Sequence, residues 1–234
     1  MGLRAGLSRL HAVAAVLLAI GAACGTAPAA TPSPQATGSP PGQRLVYQLH
    51  MTFFSAETKQ AKVIDPQMFA QAPGAAAARG PQNVDHAANL APVAAEAAPD
   101  TALYDATGKP LNITLGRWKQ ASGESQLTCT AGKETIRSSF KGLLATGAYQ
   151  LFVAHFNVNG PGRFSPAGAA DGGGDAVQPV AGGAATHSTS FSPCLTPDDG
   201  LVLIWASDGQ SHGATPGAIG VTQHNQLIVR APSA

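Results

Sequence analysis

From Ala102 onward, apolar and polar residues alternate over short runs, the period of a half-buried β-strand. Leu103-Tyr104, the turn Asp105 to Gly108, and Leu111 to Leu115 predict strand, turn and strand. Thr114 is placed to cap a helical turn through Arg117 and Trp118. Gln126 to Cys129 predicts a short strand, and Glu134 to Phe140 another after the Ala131-Gly132 turn. Within Leu143 to Phe156, Tyr149, Leu151, Val153 and His155 share one face, and Phe152, Ala154 and Phe156 the other. A strand apolar on both faces is a central one. Leu201 to Ala206 is apolar throughout and predicts a second central strand, and Val221 to Val229 closes the fold. Between them lie a Gly/Pro/Ala loop, Asn157 to Thr186, and the turn-rich loop Ser207 to Gly220. The pattern predicts an all-β protein: an antiparallel β-sandwich, immunoglobulin-like or similar, of about seven to nine strands over 44–231.

The preceding residues are less regular. Leu45 to Phe54 suits a strand, or a helix entering the domain, with the strand preferred. Asp65-Pro66 has the form of a helix start, with Met68 and Phe69 as the apolar side of a short helix over Ala61 to Ala72. Residues 72–100 are dominated by Ala, Pro and Gly and predict a mobile insertion, with at most a turn or two of helix near Val93 to Ala98. Asp85 and His86 fall in it as solvated loop residues.

The first 23 residues read as an export signal. Arg4 and Arg9 precede the apolar run Ala12 to Ile20, followed by Gly21-Ala22-Ala23. The run is too short for a membrane span, which needs about 20 apolar residues. Cys24 follows at the position where bacterial lipoprotein signals carry an acylated cysteine, with Gly21 where leucine is usual. Ala27-Pro28-Ala29 offers an ordinary cleavage site instead. Residues 24–43 form a linker rich in Pro, Ala and Ser, suited to hold a lipid-anchored domain off a membrane. The expected location is the bacterial cell envelope, lipid-anchored to the membrane, periplasmic or secreted.

Composition agrees with export and narrows the partners. Lys and Arg number 14 and Asp and Glu 13, with no basic cluster, so nucleic acid is not an expected partner. Of the three cysteines, Cys129 and Cys194 are left to form a disulfide in an oxidising compartment.

Candidate chemistry is sparse. His155, His212 and His224 could ligate copper or zinc, although no His-x-His pair exists. Asp198-Asp199-Gly200 and the pair Asp171 and Asp175 are weak calcium candidates, better read as turns. Ser211, His212 and Asp208 are the residue types of a hydrolase triad, too close in one loop to adopt its geometry. Asp208, Gln210, His212 and Asn225 are the expected binding-loop residues, and Trp118 and Trp205 core anchors.

Ser207-Asp208-Gly209-Gln210, Gly213 and Pro216-Gly217, with Leu115-Gly116-Arg117-Trp118, Gly142-Leu143 and Tyr149, resemble a set of uncharacterised bacterial secreted and lipoprotein domains. In those domains the position of Ala206 is often His and that of His212 often Tyr. The resemblance implies a β-sandwich and an envelope location, and no activity. The expected function is a noncatalytic binding or structural role toward a protein or small molecule. No catalytic residue is assigned and no cofactor is expected; the alternative is a copper- or zinc-binding metalloprotein using His155, His212 and His224.

Overall fold

Two long strands set the frame. β9 (Ser122–Thr130) and β10 (Lys133–Lys141) pair from Lys133 opposite Thr130 to Lys141 opposite Ser122. Ala131 and Gly132 join them, both at positive φ (51° and 76°), the two-residue turn that matches strand twist. Ile136, Ser138 and Phe140 point inward in strict alternation. β1 (Gln43–Val46) and β14 (Ala185–Phe191) flank this pair, giving the sheet order β1-β9-β10-β14.

The second sheet is built on β11 (Ala148–His155) and β15 (Asp199–Ala206), each inside the sheet as the doubly apolar pattern predicts. Its order is β12 (Phe164–Pro166), β11, β15, β16 (Gln223–Arg230) and β2 (Gln48–Leu49), with β13 (Ala176–Val177) also on β11. Leu127, Ile136 and Phe140 from the first sheet share one core with Tyr149, Leu151, Leu203 and Trp205 from the second. The outer face of the second sheet is apolar too, and α1 (His50–Glu57) lays Phe53 against Phe152, Val202 and Ile228 there.

A third sheet, of order β6-β3-β7-β8, combines β6 (Leu90–Ala94), β3 (Ile64–Gln71), β7 (Ala102–Tyr104) and β8 (Pro110–Thr114). α2 (Leu115–Trp118) follows β8, and Thr114 caps it by accepting from the Arg117 amide. The chain is thus an all-β antiparallel sandwich. Its 16 described strands exceed the expected number because the third sheet and several two- and three-residue edge strands add to the frame. The structure, a computed structural model, describes residues 42–158, 163–172 and 174–231. The export segment, Cys24 and residues 24–41 of the linker lie outside the described residues.

Three expectations are corrected. The short helix over Ala61 to Ala72 is strand β3, because Met68 and Phe69 are both fully buried, on either side of it. Asp65 does not cap a helix; it is buried and accepts from Trp118 Nε1 at 2.9 Å and from the Gln67 amide at 3.0 Å. Burial pushes its carboxyl up to about 6. Residues 72–100 contain β4 (Ala78–Arg79), a 3₁₀ turn (Pro81–Asn83), β5 (Asp85–His86) and β6, where a mobile insertion was expected. Val84 and Leu90 pack on Phe69 and Ala106, Val93 joins the main core, and His86 stacks on Phe69 at 5.1 Å. Leu45 to Phe54 is strand only to Leu49 and helix thereafter.

Candidate functional site: an outward cleft on the second sheet

β16 breaks its alternation once. Leu203 pairs with Leu227 but Ile204 pairs with Asn225, so Gln226 is an extra residue. Such a bulge re-aims the side chains beyond it. Gln226 faces the core, accepting from Tyr149 OH at 2.8 Å and donating to Trp118 O at 2.9 Å. His224 also turns inward, onto the Trp205 ring at 5.4 Å. Gln223 and Asn225 then fall on the outer side with Ile228, where a cleft of about 1000 Å³ opens. That volume lies at the upper end of the roughly 300–1000 Å³ found for small-molecule sites.

α1 lines the cleft with His50, Phe53 and Phe54, and the sheet with Ala154, Asn225 and Ile228. Arg163 and Phe164 enter from the start of β12, and Pro216 and Ile219 from the loop between β15 and β16. Arg230 lies 3.9 Å from the Phe156 ring centre and donates to Glu57 at 2.7 Å. Arg163, by contrast, has no carboxylate partner among the described residues, and its Nε is buried without an acceptor.

A chain of amides runs along one wall, and a backbone amide fixes its direction. The Asn225 N–H donates to Gln67 Oε1 (2.6 Å), Gln67 Nε2 to Gln82 Oε1 (2.8 Å), and Gln82 Nε2 to His50 Nε2 (3.2 Å). Gln223 Nε2 donates to Asn225 Oδ1 at 3.0 Å. A backbone N–H can only donate, so each amide orientation follows from the previous one and His50 Nε2 must accept. The proton of the neutral ring therefore sits on Nδ1, which is buried and has no partner among the described residues. Burial, and then the Arg163 charge, push the His50 pKa down to about 3, so the ring is neutral at physiological pH.

The expected site residues divide. Of the binding-loop set, Asn225 lines the cleft, whereas Asp208, Gln210 and His212 do not. Asp208 Oδ1 accepts from the Gln210 amide in a local turn, and the His212 amide donates to Gln150 Oε1. His212 Nε2 is 3.1 Å from Asp208 Oδ2, near enough for an ion pair but out of line for a hydrogen bond. The metal set is not brought together. His155 pairs with Asp199 and His224 with Trp205, positions about 20 Å apart along β15 at roughly 3.3 Å per residue. Among the described residues no three His, Cys, Asp or Glu side chains could hold a metal ion. The calcium candidates have other uses: Asp175 accepts from Gln150 Nε2, and Asp199 from Thr196 and His155. Trp118 and Trp205 are core anchors, ring centres 5.8 Å apart.

A Ser–His–Asp relay occurs where the sequence reading had none. His155 Nδ1 is 2.6 Å from Asp199 Oδ1, and His155 Nε2 is 2.9 Å from Ser165 Oγ. The order of contacts is that of a nucleophilic triad. Its surroundings differ. Ser165 lies opposite Val153, between the ladder bonds His155 N–H to Arg163 O and Ala167 N–H to Leu151 O. The antiparallel alternation makes Ser165 and Val153 a bonded pair, so the serine amide is engaged and is not free to stabilise an oxyanion. The relay is also on the core-facing side of β11, opposite to the cleft.

Cys129 and Cys194 form the expected disulfide, closing a separation of 65 residues. Among the described residues no helix is long and apolar enough to cross a membrane. Both observations are compatible with an exported protein. No protein-family model matches the chain, and no curated protein is similar to it.

Proposed function

We propose that this is an exported cell-envelope protein, tethered by a lipid on Cys24, whose sandwich binds a small ligand noncatalytically in the cleft beneath α1. The cleft carries the reading: it combines an aromatic side from Phe53, Phe54, Phe156 and Phe164, a wall of convergent amides and a rigid floor of sheet, a concave site that can hold a small molecule by both apolar and polar contacts. The noncatalytic part rests on the ladder-bound Ser165 amide and on the separation of His155 from His224. The disulfide and the charge-free stretch after Cys24 support export and tethering. The resemblance of the closing loop to secreted and lipoprotein domains points the same way.

Filling the cleft tests the binding reading. Ile228→Trp places an indole on its floor, and the fluorescence of an apolar dye titrated into the variant is expected to fall to the buffer level. Unchanged dye binding in a folded variant would refute the cleft as the site. Mass spectrometry of the mature N-terminus tests the anchor: a diacylated Cys24 is expected, and an unmodified start beyond it would remove the tether.

A further inference from the structure

We infer that the cleft takes an amphipathic organic anion, a carboxylate or sulfonate on an apolar body, with the anionic group between Arg163 and His50. This rests on the reading of the cleft as a ligand site and adds the chemical class. Three observations carry it.

The first is charge. Of the three charged residues described as lining the cleft, Glu57 and Arg230 are paired with each other, which leaves Arg163 without a carboxylate partner among the described residues. The second is a pair of vacant donors. Arg163 Nε and His50 Nδ1 are both buried without an acceptor among the described residues. Unpaired buried donors are rare, and two on residues of one cavity call for acceptor oxygens. His50 is 3% exposed, and the amide chain from Asn225 fixes its free proton on Nδ1, so it can only donate there. The third is the wall. Phe53, Phe54, Phe156 and Phe164 give the cleft an aromatic side beside its amide wall, which suits an anion that carries an apolar body better than a fully hydrated one such as phosphate. The bidentate reach of a guanidinium favours a planar carboxylate or a sulfonate head.

The test uses the intact protein and 1-anilinonaphthalene-8-sulfonate, an aromatic sulfonate, with decanoate and decanol as competitors of equal length. Decanoate is expected to displace the dye at least about tenfold more strongly than decanol, the least that a charge-assisted hydrogen bond should give. Arg163→Gln, at a half-buried position before β12, should cut that preference to below about twofold, and added salt should weaken decanoate but not decanol. His50→Phe, which keeps the ring volume and removes the donor, should lower decanoate affinity alone. Equal displacement by the two competitors, with Arg163→Gln unchanged, overturns the anion assignment and leaves an apolar ligand site. Dye binding that persists in Ile228→Trp overturns the cleft itself. Thermal melts of each variant confirm that the fold is retained.

Discussion

Acidification should unfold this protein through two buried histidines, and substitution of one isolates its share. His50 and His224 are fully buried, with pKa values pushed down from 6.5 to about 3 and about 4. A histidine whose folded pKa is depressed stays neutral in the fold while the unfolded chain takes up a proton below pH 6.5. Its stabilisation is therefore complete above pH 6.5 and lost as pH falls. At pH 5 the loss is set by the distance from the unfolded pKa, about 2 kcal/mol for each histidine. Asp65 acts in the opposite sense. Its carboxyl is raised from 3.8 to about 6, so the fold favours its protonated form and regains about 1 kcal/mol between pH 7 and 5. The net expectation is a loss of about 3 kcal/mol, a fall in Tm of roughly 6–12 °C for a domain of this size. His50→Gln keeps an acceptor for Gln82 and has no titrating ring, so its loss between the two pH values should shrink to about 1 kcal/mol, the His224 share less the Asp65 gain. Thermal melts by circular dichroism at pH 7 and pH 5, at one ionic strength, measure this. Only the difference between pH values is compared, so any loss from the substitution itself cancels. A wild-type Tm equal at both pH values, or an undiminished drop in His50→Gln, would refute the buried neutral state of His50.

Replacing both Cys129 and Cys194 by Ala should lower stability by about 4 kcal/mol, read from urea melts, because the disulfide closes a separation of 65 residues. Trp118→Phe leaves Asp65 Oδ2 without its indole donor and should cost about 1–3 kcal/mol; the further replacement Asp65→Leu should recover part of that, and no loss in the single variant would contradict the contact. Ser165 is expected to resist fluorophosphonate labelling. Stoichiometric labelling lost in His155→Ala would overturn the noncatalytic reading and restore the relay as a hydrolase site.

The sequence by itself determined much of the frame. The short strand read at Gln126 to Cys129 lies within β9, the strand read at Glu134 to Phe140 is most of β10, and positive φ at Ala131 and Gly132 matches the turn read between them. Runs apolar on both faces marked β11 and β15 as central, and the cysteines left over from the N-terminus paired. These features are local, or follow from simple counting. The tertiary structure decided the rest. Asp65-Pro66 is a good local helix start, yet strand pairing and burial of Met68 and Phe69 outweighed it. The Ala-rich stretch 72–100 found a core through three well-placed residues, Val84, Leu90 and Val93, which average composition hides. The cleft was least legible. Its polar wall needs Asn225 to meet Gln67 across 158 residues and Gln82 to meet His50 across 32, and a single bulge at Gln226 decides which of Gln223, His224 and Asn225 face outward. A strand's period tells which residues share a face, but not where an extra residue reverses the faces or which distant strand closes over them.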